Sequence, residues 1–155
     1  MANPFAKSRW FHRLANYSGP PLFFRVVPLP RGFALLTITG RRTGKKRRRP
    51  IRAIREGSTL YGVAIMGTKS DWLRNLRADP NAQARVGIKT RRIRLREITD
   101  AGEREKIERL YIDTVVPYDY FDVPIVDWTF PSPARIRKSH RDWIKVGTLV
   151  ALELQ

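Results

Sequence analysis

The densest chemistry in the chain lies in the stretch LTITGRRTGKKRRRP, Leu36 to Pro50, where seven of the nine positions from Arg41 to Arg49 are Lys or Arg. A row of cations punctuated by Gly40 and Gly44 offers what a phosphate followed by carboxylates requires. The side chains supply charge-assisted donors, and glycine allows backbone N–H groups to converge in a tight turn. Five of the seven cations are Arg, which can grip phosphate with two parallel hydrogen bonds. Contacts of this kind contribute about 1.5 to 3 kcal/mol each, so three or four hold a ligand at micromolar affinity or better after the cost of association.

A second chemical candidate is the segment VPYDYFDVPIVDWTFPSP, Val116 to Pro133, with four prolines and five aromatic residues. That mixture suits a pocket wall or lid, and the phenols of Tyr118 and Tyr120 are the candidate catalytic groups, able to orient or protonate an acceptor. Asp119, Asp122 and Asp127 read as acids that structure this loop, and His12 and His140, far apart and without neighbouring carboxylates, read as surface residues. No metal site is expected. The absence of cysteine excludes a disulfide framework, a thiolate nucleophile and a Cys-ligated metal. No G-x-G-x-x-G opens a helix after a strand, so a Rossmann-type nicotinamide site is unsupported.

These groups must be positioned by one core, since 155 residues at 42% hydrophobic content suffice for a single domain. Residues 1–31 read as an N-terminal amphipathic helix, opened by Asn3-Pro4, and an irregular wrap rich in Pro and Gly; residues 32–155 read as the main body. On that helix Phe5, Trp10, Phe11 and Leu14 alternate with Lys7, Arg9 and Arg13, a pattern for packing on the body or for peripheral contact with a membrane. Strands are expected over Phe33–Thr39, Pro50–Arg55, Thr59–Ile65, Ala82–Val86, Thr90–Ile98 and Thr148–Leu154. Arg92, Arg94 and Arg96 alternate with apolar residues and read as a solvated sheet face.

Helices are expected after Ser70 or Asp71 up to Pro80, from the Asp100-x-x-Glu103 capping box to about Val116, and over Ala134–Trp143. About six mostly antiparallel strands with helices around them define an α+β protein built on a small barrel or strongly curled sheet.

The net charge of +17 calls for an anionic partner. Nucleic acid is one alternative, with Tyr61, Trp72 or Tyr120 as stacking platforms, but the basic run is bracketed by strands and no recognition motif accompanies it. A small-molecule partner is therefore the first choice. No long apolar run resembles a signal peptide or a membrane span, so a cytoplasmic protein is expected, with membrane association through the N-terminal helix left open and a monomer or homodimer equally compatible.

Two stretches taken together carry a family resemblance: Thr37-Ile-Thr-Gly-Arg-Arg-Thr-Gly44, and Trp72-Leu-Arg-Asn-Leu-Arg-Ala-Asp-Pro80 followed by a strand of the type AQARVG. The pair resembles the deazaflavin-dependent nitroreductase and quinone reductase family, with its T-x-T-G-R-x-S/T-G loop and its W-x-x-N-L-x-x-N/D-P helix. The resemblance implies a split β-barrel of the FMN-binding type that binds the reduced 8-hydroxy-5-deazaflavin coenzyme F420. It implies hydride transfer to a quinone, a nitroaromatic or a conjugated enone.

By position, it places Thr39, Arg41, Arg42, Thr43 and Gly44 on the coenzyme's phosphate and acidic tail, continued by Arg47, Arg49 and Pro50. It places Ala64, Ile65, Met66, Gly67, Thr68 and Trp72 at the ring. This chain departs from relatives in having one glycine, not a pair, between Ala64 and Asp71. FMN is an alternative cofactor and a non-catalytic binding protein an alternative function, because split barrels serve several ends. Seven cations suit a polyanionic tail better than FMN's single phosphate.

Overall fold

The structure, a computed structural model, describes residues 27–155. The helix expected from Asn3, with most of the wrap, lies outside the described residues. Six strands form a closed, wholly antiparallel barrel: β1 (Phe33–Thr39), β2 (Lys46–Glu56), β3 (Thr59–Ala64), β4 (Asn81–Val86), β5 (Lys89–Glu97) and β6 (Thr148–Leu154). The order around the barrel is β1, β2, β3, β6, β5, β4, and β4 returns to β1 through Leu36↔Ala84 and its neighbours. Closure pairs every strand on both sides over at least part of its length. Four helices accompany it among the described residues: α1 (Asp71–Ala78), α2 (Ala101–Asp113), α3 (Asp119–Asp127) and α4 (Pro133–Val146).

Strand alternation sorts most of the described apolar residues into two main cores, with a smaller cluster of Leu29, Phe33 and Leu35 beside them. Ala34, Leu36 and Ile38 of β1 share the first with Ile51 and Ala53 of β2 and with Val150 and Leu152 of β6. Trp72, Leu73 and Leu76 of α1 join this cluster. The opposite faces of the same strands, Ile54, Tyr61, Val63, Leu149 and Ala151, form the second core under the other three helices. Those helices contribute Ile107 and Tyr111 from α2, Val123 from α3, and Ile136, Trp143 and Ile144 from α4. Each large side chain buried in this way stabilises the fold by about 1.5 to 3 kcal/mol before entropy is counted.

One break in the ladder matters for function. β2 pairs with β1 along its length, from Phe33↔Arg52 to Thr39↔Lys46, but with β3 only from Ala53↔Gly62 to Glu56↔Thr59. Beyond Ala53 the N-terminal half of β2 parts from the end of β3, and the barrel opens there.

Several sequence expectations change. β2 starts at Lys46 rather than Pro50, so the second half of the basic run is strand and not loop. Pairing to β1 extends it, and its outer positions stay exposed, which removes the need for an apolar pattern. The aromatic segment contains helix α3 where a loop was expected; Asp119 and Asp122 sit in its first turn, and Pro124 removes only one donor. α2 ends at Asp113, closed by the Thr114 N–H bond to Leu110 O, and α4 runs over Pro133–Val146, longer at both ends than predicted. Asp100 does cap α2, its Oδ1 accepting from Glu103 N at 2.6 Å.

Candidate functional site

The turn after β1 is built by hydrogen bonds that converge on Gly40. Gly40 N donates to Lys45 O at 2.9 Å, while Gly44 N and Thr43 N donate to Gly40 O at 2.8 and 3.2 Å. Gly44 holds φ at +65°, a conformation that costs other residues about 1 to 2 kcal/mol. A side chain at Gly40 would meet Thr43 Oγ1 at 3.0 Å and Arg47 Nε at 3.2 Å. Arg41 does not project freely from the turn. Its backbone N and its Nη1 both donate to Asn75 Oδ1, at 3.2 and 2.9 Å, and its Nη2 pairs with Asp71 at 3.0 Å. The turn is thereby fastened to the first turns of α1, and Arg42, Lys45, Lys46, Arg47 and Arg48 are the exposed cations of the turn and the start of β2. Thr39 Oγ1 accepts from Lys46 Nζ at 2.9 Å.

Where β2 and β3 part lies a cleft of about 100 Å³. Its strand side is formed by Arg49, Pro50, Ile51 and Arg52 of β2 and by Val63, Ile65 and Met66 at the end of β3. Ser70 and Trp72 close it from the start of α1, and Tyr111, Tyr118, Asp122 and Trp143 from the helical side. Tyr118 packs edge-on against Phe33, with ring centroids 4.7 Å apart. Burial, and next the negative charge of Asp122, push its phenol well above the usual range, so it stays protonated and can donate a hydrogen bond. Burial also lowers Arg49 from its ordinary value, against the opposing pull of Tyr118 and Asp122.

Behind the cleft stands a buried polar cluster. The Arg52 side chain is 2% exposed and Asp119 fully buried, with Nε 2.5 Å from Oδ1. Arg52 Nη2 donates to Thr114 O at 2.6 Å, and its guanidinium carbon lies 4.2 Å from the centre of the Tyr111 ring. Asp119 Oδ2 accepts from Val116 N at 2.8 Å. Burial alone would raise Asp119, but His140 and Arg52 outweigh it and hold the carboxyl below its usual range. The His140 ring is wholly buried, with Nδ1 3.4 Å from Ile112 O and Nε2 3.4 Å from Asp119 Oδ1. The expectation that His140 is a surface residue is thus corrected, as is the reading of Asp119 as only a loop-structuring acid: the face that bears them is covered by the barrel. Arg96 is corrected too. It is gripped by Glu103 at 2.6 Å and Glu153 at 2.7 Å, while Arg92 and Arg94 are exposed as expected.

The structure separates the predicted residues into two groups joined by β2. Arg49, Pro50, Ile65, Met66, Trp72 and Tyr118 meet at the cleft. Thr39, Arg41, Arg42, Thr43, Gly44 and Arg47 lie on or beside the turn. Ala64 is buried in the barrel, Gly67 and Thr68 form a short 3-10 turn, and Tyr120 is 43% exposed on α3 outside the cleft lining. Arg52, Tyr111, Asp122, Trp143 and Asn75 were missed as site residues. Asn75 alone carried a signal, as the polar residue inside the W-x-x-N-L motif. Among the described residues no group of His, Asp and Glu could hold a metal, and no helix is long and apolar enough to cross a membrane.

Comparison with known proteins gives a matching family model, F420H2-dependent quinone reductase, over residues 24–124. Among solved structures, an F420-H2 dependent reductase, FDR-A, is 24% identical, with a TM-score of 0.53 over 83% of this chain and 99% of that one. A structure described as a domain-swapped dimer is 20% identical, with a TM-score of 0.57 over 97% of this chain and all of the other. Both likenesses are likenesses of fold, and both agree with the split barrel described above.

Proposed function

We propose, from the chain's membership of the F420H2-dependent quinone reductase family and its standing as a deazaflavin-dependent oxidoreductase with coenzyme F420 as cofactor, that the coenzyme lies along β2, its acidic tail on the turn and its ring in the cleft. The donor set fits such a group. Exposed Arg42, Lys45, Arg47 and Arg48 present cations for phosphate and carboxylates, and the cleft offers Pro50, Ile65, Met66 and Trp72 to a flat ring. The observation that carries the reading is that one strand connects both. From Lys46 to Arg52 it runs about 20 Å, at about 3.3 Å per residue.

The coenzyme supplies the hydride, and the protein must hold the acceptor against it and keep water out. Apolar Ile65, Met66 and Trp72 exclude water, and the protonated Tyr118 hydroxyl orients an acceptor oxygen. The acceptor class is a quinone or a comparably polarised nitroaromatic or enone. Tyr120, exposed on the outer side of α3, is the weaker of the two candidate phenols.

The test is turnover of reduced F420 with a soluble quinone. Tyr118→Phe should lower kcat about tenfold while coenzyme affinity, read by fluorescence, changes less than twofold. Wild-type turnover in that variant would remove Tyr118 from the mechanism.

A further inference from the structure

Reduction of a quinone by hydride leaves an oxyanion, and the reaction as described so far does not say what protonates it. Tyr118 is poorly suited, because its phenol is held well above the usual range. One other acid lines the cleft. Asp122 lies one helical turn after Tyr118 on α3, and its N–H donates to Tyr118 O at 3.0 Å, so both side chains are carried by the same first turn. Unlike Asp119, its carboxyl has neither a hydrogen bond nor an ion pair among the described residues.

We propose that Asp122 is the general acid of the reaction, delivering its carboxyl proton to the acceptor oxygen that becomes negative on hydride transfer. The bookkeeping of atoms is complete. The hydride and its electron pair pass from the reduced coenzyme to the acceptor, the Asp122 O–H bond breaks as the new O–H bond of the hydroquinone forms, the proton that oxidation also frees from the coenzyme goes to solvent, and solvent reprotonates the carboxylate between turnovers. The coenzyme is oxidised and the acceptor reduced by two electrons. The inference rests on the placement of the ring and acceptor in the cleft proposed above.

The charges around Asp122 favour a carboxyl that holds its proton to higher pH than an ordinary carboxylate. Arg49 and Arg52 face it from β2, Tyr111 from α2, Tyr118 from the cap of α3, and Asp119 and Asp127 from α3 itself, while His140 of α4 stands behind Asp119. Arg52 is largely committed to Asp119, which leaves burial and the neighbouring carboxylates Asp119 and Asp127 to prevail. The carboxyl is accordingly pushed up to about 6, the range in which a group can both give and regain a proton.

The experiment compares the wild type with Asp122→Asn and Asp122→Glu, using reduced F420 and two quinones: one whose hydroquinone is a weak acid and a polyhalogenated one whose hydroquinone anion is stable in water. For the wild type with the first quinone, kcat should fall as pH rises through about 6, since the protonated carboxyl is the active form. Asp122→Asn should lose that limb and turn over about 30- to 100-fold more slowly below it, with coenzyme affinity within about twofold. Asp122→Glu should restore the limb, and the halogenated quinone should be reduced at nearly equal rates by wild type and Asp122→Asn. An unchanged pH profile in an Asp122→Asn protein that binds coenzyme normally would overturn the acid role alone. Equal losses with both quinones would do the same. Failure of the wild type to bind coenzyme would overturn both the role and the site on which it rests.

Discussion

At the scale of single residues, the chain commits charge to places where it is costly unless paired. Arg52 and Asp119 are buried together, and removing one partner strands the other. Asp119→Ala should therefore destabilise the fold by about 3 to 5 kcal/mol, read as a lowered denaturant midpoint, and joint replacement of Arg52 and Asp119 by apolar residues should recover much of it. Destabilisation of Asp119→Ala by less than 1 kcal/mol would show that the pair is not buried as described. The carboxyl of Asp119 is held below its usual range when folded, so its contribution is present above the unfolded-state value and is lost as pH falls through the folded one.

Asp122 has the opposite sign. Its folded value is raised to about 6, so its contribution is full in acid and is lost as pH rises through about 6. Asp122→Asn should raise Tm relative to wild type at pH 8 and bring little change at pH 4. A lower Tm at pH 8 would contradict the unpaired, partly buried state of the carboxyl. The sequence hid both acids for one reason: PIRAIR reads as a strand with its arginines toward water, and nothing local reveals that three later helices cover that face. Arg52 and Asp119 are 67 positions apart.

At the scale of elements, the basic run divides into a turn and a strand, and the two do different work. The turn is positioned by α1 through Asn75, which accepts both the backbone and the side chain of Arg41. Asn75→Ala should weaken F420 binding about three- to tenfold although Asn75 is placed to act only through the turn, and affinity equal to wild type would remove that positioning role. Of the two strands flanking the turn, β1 was legible to the residue in its apolar, β-branched run, as was β6 at the end of the chain, whereas β2 starts four residues earlier than its sequence suggested. Helix α3 was not legible, because four prolines and five rings outweigh a helical pattern when no neighbour is known. Its start is set from outside, by Arg52 on Asp119 and by Val116 N on the same carboxylate.

At the scale of the molecule, 31 Lys and Arg outnumber 14 Asp and Glu, so a net charge of +17 remains however many acids are used in internal pairs such as Arg41–Asp71, Arg77–Glu97 and Arg96–Glu103. The remaining field draws anions toward the surface and should make association with the coenzyme fall with salt. The barrel gives that field a direction, since the opening between β2 and β3 lies at the end of the strand that carries the cations. The measurement closest to this claim is a fluorescence titration with F420 and with a deazaflavin lacking the phosphate and acidic tail, on wild type and on Arg42→Ala/Arg47→Ala, at low and high salt. The wild type should prefer the full coenzyme by at least about 100-fold at low salt, and the double variant should lose most of that preference while still binding the tail-less ring as wild type does. An undiminished preference in the double variant, or equal loss of both ligands, would contradict a coenzyme laid along β2 from turn to cleft.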